Sequence, residues 1–191
     1  EFDSADRWHC HIFSWTNPAW PPGRYFGGLA YDQARAVSVH FGGIEDPLQP
    51  NVYSDTWTWD GTSWTNMNPP LAPAPRYGHA MVYDSTRQQV WVFGGADLFN
   101  FLGDTWTWDG TAWQQQQPAQ SPSARAWMGA CHDSHRQVSI MFGGWSGPFF
   151  NDTWEWNGAN WTQRTIPGSP SPRADTAMAY DPLRRRAVLA W

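Results

Sequence analysis

DTWTWDGTSW (55–64) holds three tryptophans in ten residues. Nearly the same string returns as DTWTWDGTAW (104–113) and DTWEWNGANW (152–161). A side chain this bulky recurs at fixed places only where one structural unit is itself repeated. Asp55, Asp104 and Asp152 stand 49 and 48 residues apart. The string FGG at 41–43, 93–95 and 142–144 steps by 52 and 49, and Arg24, Arg76, Arg125 and Arg173 step by 52, 49 and 48. Three independent markers share one period.

The two ends of the chain fit the same period. DRWHCHIFSWT (6–16) lies over DTWTWDGTSWT (55–65), and PRADTAMAYDPLRRRAVLAW (172–191) lies over PRYGHAMVYDSTRQQVWVFG (75–94). Four copies result, one of them split between the ends. Each copy reads as four strands. In the second they are predicted at about 77–83, 89–95, 104–109 and 112–116, all rich in Val, Tyr, Phe and Trp. Asp60-Gly61, Asp109-Gly110 and Asn157-Gly158 are hairpin signals between the third and fourth strands. The segment NPPLAPAP (68–75) is too rich in proline for a central strand, so it links copies.

Four-stranded units repeated at this spacing predict an all-β fold, a propeller of four-stranded antiparallel blades. The Gly-Gly pairs and R-Y-G-H-A (76–80) carry a resemblance to the kelch-repeat propellers. So do two tryptophans seven apart, as in Trp8/Trp15, Trp57/Trp64, Trp106/Trp113 and Trp154/Trp161. Trp stands where that family usually has Tyr. The expected organisation is one domain over 1–191, with blades at about 24–67, 76–116 and 125–164. A fourth blade is split between 6–17 and 173–191. Complementary ends predict closure by pairing of N-terminal with C-terminal strands. A larger propeller, or two chains making one ring, fits the same repeat.

This architecture explains the tryptophans. Residues two apart on a strand share a face. Trp57 and Trp59 then point the same way, toward the gap between blades, and each indole buries on the order of 150–250 Å² there.

The net charge of −5 argues against a nucleic-acid partner held through its phosphates. No apolar run approaches a membrane span, and no signal peptide is visible. Cys10 and Cys131 make no disulfide framework. No cofactor, metal site or catalytic residue is expected. His9 with His11, and His132 and Asp133 with His135, have the ligand types for a metal but no further ligand nearby. Asn151 and Asn160 head N-x-T sequons that matter only in a eukaryotic secretory setting and serve equally as turn residues.

The two faces of such a ring differ. The turns YDQAR, YDSTR, HDSHR and YDPLR are short and uniform, with Asp and Arg placed to satisfy the turn itself. The loops between second and third strands, at 44–54, 96–103 and 145–151, are long and varied, and binding concentrates in such loops. They bring Asp46, Asp97, Phe99, Asn100, Phe101, Trp145, Phe149 and Phe150 forward as candidate ligand-binding residues. The aromatic ones either fold down as lids or present a surface for a ligand. Arg24, Arg76, Arg125 and Arg173 are expected around the channel mouth. There they hold an anion or acidic peptide, or pair with Asp6, Asp55, Asp104 and Asp152.

The expected function is a non-catalytic binding module for a protein or a glycan. The competing readings are a structural or self-assembling unit, as a homo-oligomer or part of a larger parent assembly, and a metal-dependent oxidase. Trp-rich kelch strings of this kind are frequent in exported bacterial proteins, so the resemblance implies an extracellular or cell-surface setting.

Overall fold

The structure, a computed structural model, describes residues 20–46 and 51–190. It is built of antiparallel sheets. The first contains β1 (Gly28–Asp32), β2 (Val37–Phe41), β3 (Thr56–Trp59) and β4 (Trp64–Asn66). The second contains β5 (Ala80–Asp84), β6 (Gln89–Phe93), β7 (Thr105–Trp108) and β8 (Trp113–Gln116). The third contains β9 (Gly129–Asp133), β10 (Val138–Phe142), β11 (Thr153–Trp156) and β12 (Trp161–Arg164). β13 (Ala177–Asp181) pairs with β14 (Arg186–Ala190), giving a two-stranded sheet. The first strands stand side by side in chain order: β1 beside β5, β5 beside β9, β9 beside β13. The strands expected over 6–16, and with them the closure of the ring, lie outside the described residues, as do Asp6, His9, Cys10 and His11.

The first strand of the second sheet, expected at 77–83, is shorter and runs over Ala80–Asp84. Tyr77 does not belong to β5, because Gly78 turns the chain with φ +64 and Tyr77 makes its own bridge to Ala96. Positive φ at Gly94 and Gly95 likewise ends β6 at Phe93.

The second sheet presents two apolar faces, one to each neighbouring sheet. On β6, Val90 and Val92 meet Ala30, Val39 and Phe41 of the first sheet, together with Trp106, Trp108 and Trp113. Trp91 and Phe93, one residue out of phase, face the third sheet and pack with Met128, Met141, Trp154, Trp156 and Trp161. Within a sheet the indoles also meet: Trp108 and Trp113 are register partners with tilted rings 5.4 Å apart, and Trp156 and Trp161 lie 5.3 Å apart. Burying an indole contributes on the order of several kcal/mol, more than any single polar contact at the joint.

The uniform turns do more than satisfy themselves. Asp32 accepts from the backbone N–H groups of Ala34 and Arg35 and from the Arg35 guanidinium. The same guanidinium donates to the Gln88 carbonyl of the next sheet. Arg87 repeats this with Asp84 and the Gln137 carbonyl. His132 and His135 part company: His132 turns to Thr86 and Ser139, whereas His135 meets Arg185. Cys131 is buried, and that burial pushes its thiol up to about 11.

Candidate functional site

The site grows from one variable position in a repeated string. After each arginine the chain reads Tyr25-Phe26, Tyr77-Gly78, Ala126-Trp127 and Ala174-Asp175. The second residue of each pair adopts a left-handed backbone: φ is 55 at Phe26, 64 at Gly78, 59 at Trp127 and 54 at Asp175. For the bulky side chains this costs on the order of 1–3 kcal/mol. Hydrogen bonds between sheets hold them there. Gly78 N donates to Phe26 O at 2.8 Å, Trp127 N to Gly78 O at 2.7 Å, and Asp175 N to Trp127 O at 3.0 Å. This backbone chain crosses all four sheets and sets Phe26, Trp127 and Asp175 around one cavity of about 200 Å³ at the axis mouth.

The rings form a connected group. Phe26 meets Trp127 edge to face at 6.5 Å, and Tyr77 lies 6.1 Å from Trp127. Trp145 lies 5.8 Å from Trp127, and Phe101 packs edge to face on Trp145 at 5.1 Å. Tyr25 joins through Phe26 at 6.4 Å. Phe26 is 53% exposed and Tyr25 59%, so this aromatic surface is open to solvent. Below it, His79, Met128 and Thr176 form the floor shared with a second cavity of about 240 Å³, walled by Leu29, Met81, Ala130 and Met178. His79 and Thr176 are buried there, and among the described residues the His79 ring nitrogens and the Thr176 hydroxyl have no hydrogen-bond partner. Burial, then the charge of Arg76, pushes the His79 imidazole down to about 3, so it is neutral at physiological pH.

The arginines sit beside this mouth but do not open onto it. Arg76 donates to both carboxylate oxygens of Asp104, at 2.7 and 2.9 Å, and to the Gly94 carbonyl. Arg125 binds Asp152 and the Gly143 carbonyl in the same way, and Arg24 binds Asp55 and the Gly42 carbonyl. Phe150 covers Arg125 at 3.7 Å and Tyr53 covers Arg24 at 3.8 Å. For these three, pairing with aspartate is the arrangement found. Burial alone raises the Asp104 carboxyl; hydrogen bonds from Arg76, its charge and the Trp106 indole outweigh that and hold it below the usual range. Arg173 donates to the Ser171 carbonyl and hydroxyl, and Asp6 lies outside the described residues.

The loop residues divide between the two expected roles. Phe101 and Phe150 fold down and Trp145 is half-buried in the cluster, whereas Phe99 and Phe149 project, at 89% and 57% exposure. The Asp97 carboxylate accepts from the backbone N–H groups of Phe99 and Asn100, so it builds the loop tip. Phe99 and Leu98, with Asn51, Val52 and Pro75, edge a separate cleft of about 360 Å³. Asp46 is half-buried in the first loop. Tyr25, Phe26, Tyr77, Trp127 and Asp175 were not among the sequence candidates. The signal available was their variability within an otherwise repeated string.

Four-stranded antiparallel sheets set side by side with their first strands toward a common axis define a β-propeller. The model of the KLHDC2/KLHL20/DRC7 Kelch-repeats domain matches residues 4–183. The chain belongs to the kelch-repeat family, whose propellers are protein-binding modules. No curated protein matches it. Among the described residues no helix is long and apolar enough to cross a membrane.

Proposed function

We propose that the chain is a non-catalytic module that binds a protein partner at the axial mouth, on the face carrying the long loops. The observation that carries this reading is the strained backbone at Phe26 and Trp127, which holds an exposed Phe26 ring and a partly buried Trp127 ring beside an open cavity. Strain concentrates where a side chain is needed for more than folding. An exposed aromatic patch rimmed by polar loops is also the usual form of an interaction surface. A glycan has the same rings to stack on, but Asp97, the loop carboxylate expected to meet its hydroxyls, is engaged in its own loop.

The test compares partner capture by three chains: wild type, Phe26→Gly with Trp127→Gly, and Leu183→Ser on the opposite face. Glycine suits both mouth positions, as Gly78 shows at the equivalent place. The expected result is loss of the partner from the mouth variant and retention by Leu183→Ser. Retention by the mouth variant refutes the assignment.

A further inference from the structure

The mouth face has a charge pattern that narrows what it accepts. The loops 44–54, 96–103 and 145–151 carry Glu45, Asp46 and Asp97 and no basic side chain. The links 67–75, 117–124 and 165–172 carry no charge at all. Arg24, Arg76 and Arg125 are each matched by an aspartate. The exposed Asp175 lines the mouth cavity, and its carboxylate makes no hydrogen bond or ion pair among the described residues.

We propose that this cavity is a cage for a basic side chain, arginine or lysine, of the partner protein. The inference rests on the mouth being the binding site. Phe26 and Trp127 meet edge to face, so they offer two differently oriented walls, and a cation is attracted to the negative face of a ring. Asp175 supplies the opposite charge at the same opening. The floor supplies two buried polar groups without partners, the His79 imidazole and the Thr176 hydroxyl, each able to accept a donor N–H. Guanidinium and ammonium groups are donors only, so they suit the Asp175 carboxylate, the acceptor nitrogen of His79 and the Thr176 hydroxyl oxygen. An acidic occupant is opposed by Asp175, and an apolar one leaves Asp175 unpaired and the floor unsatisfied.

The test pans short random peptides displayed on phage against the full chain, then titrates the selected peptides as synthetic copies. Expected are peptides carrying Arg or Lys that lose binding to the Phe26→Gly, Trp127→Gly chain. Replacing that residue by Met weakens them about tenfold, as does Asp175→Gly in the chain. The glycine keeps the left-handed backbone, so a Tm no lower than wild type separates lost recognition from lost folding. Selected peptides that need the mouth yet tolerate Met, or bind Asp175→Gly unchanged, overturn the cage and leave the mouth assignment standing. A selection without mouth-dependent peptides overturns both.

Discussion

The indole Nε1–H of Trp113 donates to the hydroxyl of Thr56 at 2.8 Å, across the joint between two sheets and 57 residues of chain. Trp161 repeats the bond with Thr105 at 2.9 Å. The first Trp of each string bonds differently: Trp57, Trp106 and Trp154 donate to Asp55, Asp104 and Asp152 two residues earlier. The D-T-W…W pattern therefore encodes two bonds, one inside a blade and one between blades.

Thr56→Val keeps the shape of a fully buried side chain and removes the acceptor. The Trp113 indole is left unpaired, so stability falls by about 1–2 kcal/mol. Thr56→Ser keeps the hydroxyl and costs less. Urea unfolding followed by Trp fluorescence measures both, and equal losses would mean that the hydroxyl is not the relevant group.

Arg76→Met leaves Asp104 with only the Trp106 indole. Asp104 keeps roughly a quarter of its side-chain surface in water, so the loss is placed at about 2–4 kcal/mol, somewhat below that for a fully buried pair. The folded carboxyl is held below its unfolded value near 4. Its contribution is therefore full above that pH and lost as pH falls through the folded value. Arg76→Met should flatten the acid limb of the stability curve below about pH 4, as seen in urea titrations at stepped pH.

His79 acts in a higher window. Its folded pKa is about 3, against about 6.5 for an exposed imidazole. Between those values the unfolded chain holds a proton that the folded chain lacks, so stability is full above 6.5 and declines toward 3. The equivalent position in the next sheet is Met128, which makes His79→Met a compatible replacement. That variant should lose much of the wild-type slope between pH 6.5 and 4; an unchanged slope there would remove His79 from the account.

Gly94→Ala should destabilise by about 2–4 kcal/mol. The added Cβ would stand 2.5 Å from the Arg125 carbonyl of the neighbouring blade, at a left-handed φ of 65. Gly61→Ala, at φ 96 with nothing within 4 Å, should cost only about 1 kcal/mol. Comparable thermal shifts for the two would show that the close approach of the blades is not what demands glycine.

Strand order, hairpins and the gap-filling role of the tryptophans were legible in the sequence because each follows from neighbours along the chain. Period two assigns Trp106 and Trp108 to one face, and Asp109-Gly110 turns the chain. The aspartate turns were legible for the same reason. The aromatic loops were visible as a group, but which rings fold down was not. Phe150 covers Arg125, and that cation lies 25 residues away on another segment.

The repeat in the amino-acid sequence thus determined the blades and the buried indoles, since pleating and turn chemistry act over a few residues. Only the tertiary structure decided that Phe26, Trp127 and Asp175 converge on one opening over His79 and Thr176. Their convergence depends on how each sheet rotates against the last, and backbone bonds between residues about 50 positions apart set that rotation.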